Sequence, residues 1–451
     1  MIEPAAVVLA RWVAGLGAGD LPGAVAGAAR EHLIDAVGCA VAGLRRGTAG
    51  PALAVARGLG GPPESRLFGG ERLGAVAAGF GNAVAVHALD FDDTHPGGLV
   101  HASAVTVPAM LAVGEECGSR GSELIVALVA GLEVVCRLGV AAPHGFHARG
   151  LHATSMCGPV AAAVTAGKLL GLDVPAMTNA IGIAASGASG LLEFLHSPAS
   201  TKQLHPGTAV ANGILAARLA RAGATGPAGA LDGPYGLFHA LAAREPDREA
   251  MLGDLGRRWE TTRIAIKAYP CCQLAHASID AARALSAAPV PTSSATASGG
   301  ISKMSADAGG DRAPLTVTLH PDAVPIIAGV EKRRPRSAYE AKFSVYWCVA
   351  AAIVDGWVGL ESFEDLDRPE VLDLAARIQV RTGPSGPVAA AAPGVLEVAD
   401  RRFAAEARSG RDVLRAKAAA NLGTGAGAVF AAVDAGADAA ALLDAIEGCL
   451  S

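Results

Sequence analysis

The chain has 451 residues, 51% of them hydrophobic but only 4% aromatic, and its 37 Lys+Arg against 42 Asp+Glu leave a net charge of −5. So even a balance, with no basic run longer than Lys332-Arg333-Arg334, excludes nucleic acid as the expected partner. Eight cysteines scattered without a CxxC pair exclude a disulfide framework and a structural zinc site, and point to a reducing cytoplasm.

At this length a large domain with a smaller one, or two comparable domains, is the expected organisation. The opening MIEPAAVVLARWVAGLG has no basic residues before its apolar ones, so an unprocessed cytoplasmic chain is expected. Up to about residue 245, Ala/Leu/Val stretches of helical length alternate with Gly/Pro punctuation. AREHLIDAVGCAVAGL, VTVPAMLAVGEEC, CGPVAAAVTAGKLLGL and GTAVANGILAARLARAG each repeat apolar residues at three and four, which predicts helices. Alanine supplies much of the apolar content and favours close-packed helices. The apolar run IVALVAGLEVVCRLGVAA carries Glu133 and Arg137, too polar for an uncomplicated membrane span, so no membrane partner is expected.

The texture then changes. LTVTLHPDAV (315–324), AARIQVRTG (375–383) and GVLEVADRR (394–402) alternate and contain β-branched residues, which predicts strands. The Ser/Ala/Gly/Pro stretch at 286–314 predicts a long surface loop. Helical texture returns from residue 413 to 448. The expected fold is therefore mainly α, with a helical domain built from residues 1–265 and 393–451 and interrupted by an α+β insert at 266–392.

Polar groups collect in five places. HALDFDDTHPGGLVHASA (87–104) packs three aspartates, three histidines and a threonine into a chain that is only 18% charged. The others are HARGLHATSMCG with His147, Arg149 and His152, SPASTKQLHPG with Lys202 and His205, KAYPCCQLAH with Lys267, Tyr269 and His276, and the cationic EKRRPRSAYEAKFS. Any one has a plain explanation, such as a helix cap, a core histidine or a solvated surface. Four of the five, however, abut Gly/Pro turns beside helices, where sites are built. His95, His101 and Asp90 match no zinc spacing and nothing resembles HExxH, so no metal is expected. LDFDDT fits the DxDxT loop of aspartate-nucleophile phosphatases, but it follows some eighty residues of helical texture where that loop follows a first β-strand.

In chain order, DFDDTH, GLHATSMCGPVAAAVTAGKLLGL, STKQLHPGTAVANGILAARLA, LDGPYGLFHAL, IKAYPCCQLAHASIDAA and EAKFSVYWCVAAAIVDG together resemble the 2-methylcitrate dehydratase family (MmgE/PrpD), which includes cis-aconitate decarboxylases and iminodisuccinate epimerases. The resemblance implies an all-helical domain made from both chain ends, a smaller α+β lid domain, a homodimer and no cofactor. It places the site on Asp90, Thr94, His101, His152, Lys202 and His276. Where cis-aconitate decarboxylases carry a tyrosine before an RPFP-type segment, this chain has Gly329 in IIAGVEKRRP, which counts against that substrate.

A small polycarboxylate needs cations at fixed points and a group that removes and returns a proton beside a carboxylate. Lys202 and His205, with Arg333, Arg334 and Arg336, are the expected substrate-binding groups. His101, His152 and His276 are the expected proton carriers, since an unperturbed histidine titrates near neutrality. Asp90 would orient a histidine and Thr94 would hold a carboxylate. The resulting reading is a cofactor-free hydro-lyase on a hydroxy-polycarboxylate such as 2-methylcitrate. Epimerisation of a dicarboxylate, decarboxylation, a metal-dependent phosphatase and a non-catalytic helical protein are the alternatives.

Overall fold

A computed structural model describes residues 2–242, 244–287, 314–386 and 388–450. Its contacts divide the chain into two compact units, one of Met1–Glu193, Thr201–Ile266 and Gly410–Ser451, the other of Phe194–Ser200 and Lys267–Ser409.

The first unit is helical. Its principal helices are α1 (Gly23–Arg45), α2 (Ala75–His87), α3 (Ala102–Cys117), α4 (Gly121–Val140), α5 (Ala153–Leu169) and α6 (Thr201–Arg221). Every residue from Ala102 to Gly114 in α3 and from Ala153 to Gly167 in α5 is buried. Helices that are apolar on every side, as these are, have no solvent face and must lie at the centre. α6 packs on both α2 and α5. It comes close because Gly213 faces α5, where a Cβ would lie 2.5 Å from the Ala162 Cβ and 2.6 Å from the Pro159 carbonyl oxygen. The sequence's abundance of alanine and glycine thus becomes close helix contact.

Glu133 and Arg137, the residues that argued against a membrane span, form a buried pair one turn apart on α4, 3.1 Å from Nε to Oε2. The guanidinium also donates to the carbonyls of Gly253 at 2.9 Å and Arg258 at 2.6 Å. Glu133 accepts from the amide and hydroxyl of Thr261, both at 2.7 Å. A buried ion pair is tolerated only when its remaining donors and acceptors are met, as they are here. Among the described residues, no helix is long and apolar enough to cross a membrane.

The second unit holds the four-stranded sheet. Strands β1 (Leu315–Leu319) and β2 (Ile378–Thr382) pair in parallel, while β3 (Gly394–Val398) runs antiparallel to β1 and continues into β4 (Arg401–Ala405), giving the order β2-β1-β3-β4. The insert expected to end at 392 runs on to Ser409, because the predicted strand at 394–402 is a hairpin whose first arm pairs with β1. The helices α7 (Gln273–Ala287) and α8 (Val345–Asp355) pack together, with α7 against β3 and β4. Phe194–Ser200 belongs with this unit, the Phe194 ring meeting Phe343 edge-on at 5.7 Å. Of the surface loop predicted at 286–314, residues 288–313 lie outside the described residues. The chain returns to the first unit in α9 (Arg411–Leu422), which packs on α1.

Two glycines separate packing from propensity. Gly27 lies within α1 with nothing inside 4 Å of a would-be Cβ. Gly27→Ala should stabilise the protein by about 0.5–1 kcal/mol through helix propensity alone. Gly213→Ala should destabilise it by roughly 1–3 kcal/mol through overpacking. Urea midpoints of the two variants shifting in the same direction would refute the close-contact account of α6.

Candidate active site

The first unit gathers four helix ends and one loop. α2 stops at His87, and the chain turns through Asp90, whose φ of 52° lies in the left-handed region. A non-glycine residue is strained there, and aspartate is among the few that tolerate it. His101 is the N-cap residue of α3 and His152 that of α5. Lys202 and His205 lie in the first turns of α6. The two capping positions are linked, since the amide of His101 donates to Thr154 Oγ1 at 3.0 Å.

Each residue of the acidic loop has its own task. Asp90 accepts from the Lys202 ammonium at 2.8 Å. Phe91 offers its carbonyl to the Lys417 ammonium, which sits 4.1 Å from the Phe91 ring centre and 2.7 Å from Asp35. Asp92 lies 2.9 Å from His87 Nδ1 and 3.3 Å from His101 Nδ1. Asp93 accepts from the Ser103 amide at 3.0 Å and hydroxyl at 2.5 Å, with His32 Nδ1 at 2.9 Å. Thr94 exchanges both backbone hydrogen bonds with Ala265, and its hydroxyl is 3.4 Å from His101 Nδ1. His95 reaches Glu260 at 3.1 Å. Asp93 and His95 therefore hold the loop, while Asp90 and Asp92 face the histidines.

Those histidines form one cluster. The ring centres of His87 and His101 are 4.5 Å apart, His101 and His152 5.9 Å, and His152 and His205 5.2 Å. Lys202 Nζ is 3.2 Å from His87 Nε2 and 3.3 Å from His101 Nε2. An ammonium has three hydrogens, and Asp90, His87 and His101 account for three. The lysine expected to offer its charge to substrate is thus engaged by the protein's own groups. His87 is the member to which sequence reasoning gave no role, although it opens the dense segment 87–104, because it ends a helix that otherwise reads as plain core.

The electrostatics follow from burial. Burial, helped by the nearby Lys202 charge, holds His152 well below its usual 6.5, and an N-cap position acts in the same sense. Burial likewise pushes His205 down to about 4, and lowers His87. His152 Nδ1 and His205 Nδ1 are 3.0 Å apart. Two neutral rings at that distance share one proton, donated by one Nδ1 to the lone pair of the other. Burial opposes the charge of Asp92, but His87 and His101 beside it keep its carboxyl well below the usual range.

Donor atoms of His87, Asp90, Asp92 and His101 lie within 4.8 Å of one another, and so do those of His87, His101 and His152. The sequence spacing suggested no metal site. The fold nevertheless brings together a donor set with metal-compatible spacing, because the ligands come from three helix ends and a loop. Lys202 Nζ, however, already contacts three of those donors.

The remaining expected site residues belong to the second unit. His276, on α7, is fully buried, with Nε2 3.3 Å from the Cys271 carbonyl and its ring edge-on to Tyr269 at 5.2 Å. Arg333 donates to the Ala376 carbonyl at 3.0 Å and stacks 4.4 Å from the Tyr346 ring centre. Arg334 and Arg333 line a cleft of about 890 Å³ with Arg377 and Asp373. Arg336 pairs with Glu340 at 2.5 Å on an exposed surface. His147, outside the cluster, lies with its ring 6.2 Å from that of His144.

Comparison with known proteins also divides the chain in two, with the break between the matches close to the change of unit at residue 267. Residues 7–249 match the MmgE/PrpD N-terminal domain and residues 269–394 the MmgE/PrpD C-terminal domain. Cis-aconitate decarboxylase of Aspergillus terreus is 29% identical over 389 residues, covering 82% of this chain and 76% of that protein. The cis-aconitate decarboxylase of Mus musculus is 29% identical over 328 residues, 70% of this chain and 62% of its own. That of Homo sapiens is 28% identical over 321 residues, 69% and 63%. With the histidine-bearing helical part matched by one domain and the smaller α+β part by the other, the chain belongs to the MmgE/PrpD family of enzymes.

Proposed function

We propose that the protein is a lyase that needs no cofactor and eliminates water from a small hydroxy-polycarboxylate such as 2-methylcitrate. The observation that carries this reading is the cluster of buried histidines held neutral beside one lysine-aspartate pair. Elimination needs a base for the C–H proton next to a carboxylate and a proton for the departing hydroxyl. A neutral histidine serves as the base. His152, with Nδ1 engaged by His205, turns its Nε2 to this task. His101 supplies the acid after taking a second proton from the Lys202 ammonium that donates to its Nε2, and the proton held on His152 returns to the lysine when the site resets. The C–H electron pair becomes the double bond, the C–O bond breaks and the hydroxyl leaves as water. His276 and Thr94 keep the roles that the family resemblance gives them, and Arg333, Arg334 and Arg336 those that the charge of a polycarboxylate calls for, as part of the same proposal.

The second reading is decarboxylation of cis-aconitate, favoured by the names of the relatives. There a C–C bond breaks, CO₂ leaves and a histidine delivers a proton to carbon. Gly329, at the start of the short turn Val330–Arg333, carries no side chain to supply the hydroxyl expected of a decarboxylase. Incubation with 2-methylcitrate, citrate, cis-aconitate and iminodisuccinate, followed by NMR, separates the readings. An alkene formed from a hydroxy acid supports dehydration. CO₂ released from cis-aconitate alone would replace it with decarboxylation.

If His152 moves the proton, His152→Gln should lower kcat by roughly 10²–10⁴-fold with the thermal melt unchanged. Near-normal kcat would reassign it to structure. His276→Gln is expected to fall in the same range, and an unaffected kcat would remove His276 from the proton path.

The histidine shifts set a pH dependence of stability. A histidine whose folded value is depressed stabilises the fold above its unfolded value, and that stability is lost as pH falls toward the folded one. For His205 the window runs from 6.5 down to about 4. Each such group weakens the fold by up to about 1.4 kcal/mol per pH unit within its window. Urea unfolding at pH 7.5 and 5.5 should show a marked loss at the lower pH, smaller in His205→Asn. Equal stability at both values would contradict the neutral assignment.

A further inference from the structure

We propose that His87, Asp90 and His101 form a latent site for a divalent transition metal of the Zn²⁺ class, from which the Lys202 ammonium excludes the ion. The inference rests on the geometry of the cluster and not on the reaction assigned to it.

Three donors converge on one point, Asp90 Oδ1 at 2.8 Å, His87 Nε2 at 3.2 Å and His101 Nε2 at 3.3 Å from Lys202 Nζ. Two imidazoles and one carboxylate are a donor set that suits Zn²⁺, Co²⁺ or Fe²⁺ and not the oxygen-seeking Mg²⁺ or Ca²⁺. The outer contacts fit as well. Nδ1 of His87 lies 2.9 Å from Asp92, and Nδ1 of His101 lies 3.1 Å from the Asp93 carbonyl oxygen and 3.3 Å from Asp92, which fixes each Nε2 lone pair toward the common point. A carboxylate behind a histidine is the arrangement that orients ligands in metal sites. His152 also has a ring nitrogen within 4.8 Å of donors on His87 and His101, so a fourth ligand is at hand.

What stands at the centre is a monovalent cation on a tether. Bonds of about 2.0–2.2 Å to a metal would require the donors to close in by roughly 1 Å on the ammonium distances. The donors lie at helix ends and in the Asp90 turn, not in mid-helix, so the approach need not break a helical hydrogen-bond ladder. The buried donors need a cation, and the lysine provides one that cannot be lost to a chelator. A metal ion must therefore displace an ammonium paired with Asp90 before it binds.

The test titrates Co²⁺ into full-length wild type, Lys202→Ala and Lys202→Met, following the visible ligand-field bands and, by calorimetry, the stoichiometry. Both lysine variants should bind one Co²⁺ per chain on the order of 100-fold or more tightly than wild type, since a positive charge has been removed from the centre. Adding Asp92→Asn to either should weaken binding by roughly 10–100-fold, and adding His87→Ala should abolish it. Mg²⁺ should give no response. Met preserves the length of the side chain, so it keeps the test valid if the alanine variant fails to fold, as judged by circular dichroism. Folded lysine variants that bind Co²⁺ no more tightly than wild type, or binding indifferent to both Asp92→Asn and His87→Ala, would overturn the proposal. Substrate is absent throughout, so the outcome is independent of whether the enzyme dehydrates or decarboxylates.

Discussion

A lysine ammonium that is 4% exposed cannot remain charged without partners, and the arrangement around Lys202 follows from that requirement. Its charge is met by Asp90, and its other hydrogens by His87 and His101. To bring its carboxylate there, Asp90 takes a left-handed backbone conformation. To accept from the ammonium, both rings must present Nε2; Asp92 enforces this at Nδ1 of His87, and the Asp93 carbonyl, with Asp92 beside it, at Nδ1 of His101. One buried charge thus accounts for a backbone turn and two tautomers.

The loop that supplies these groups is itself held by charges from distant parts of the chain. Lys417, on α9, ties the Phe91 carbonyl to Asp35 of α1, and burial, only partly offset by Lys417, raises the Asp35 carboxyl to about 6. Beside it, Asp93 joins His32 of α1 to Ser103 of α3, and His32 is raised by Asp93 although burial opposes it. The C-terminal segment therefore helps to hold the loop, since without Lys417 the buried Asp35 would lose its ammonium partner.

The same burial shapes the chemistry. Histidines in water are half-protonated near pH 6.5, but burial drives His87, His152 and His205 toward the neutral form. The segments HASAVTVP and HATSMCGP place His101 and His152 alike, each capping a buried helix with a proline seven residues on. Histidines at helix N-termini keep a lone pair available, because a positive charge on the ring is disfavoured there.

The sequence by itself determined the helical character of the chain, because period and alanine content are local properties, and it located Asp90, Thr94, His101, His152, Lys202 and His205 through motifs that can be read along the line. It also marked strands at 315 and 378, whose alternation is equally local. It did not reveal that β3 and β4 extend the second unit to Ser409, since strand pairing depends on a partner some eighty residues away. Nor did it reveal His87, whose role depends on Asp92 turning back on it and on Lys202 arriving from another helix. Only the tertiary structure decided that Lys202 is paired internally, that Asp93 and His95 hold the loop while Asp92 serves the histidines, and that a metal-like donor set exists at all. Contacts between residues more than a hundred positions apart carry no periodic signature, and burial, which sets every charge in the site, is a property of the folded chain alone.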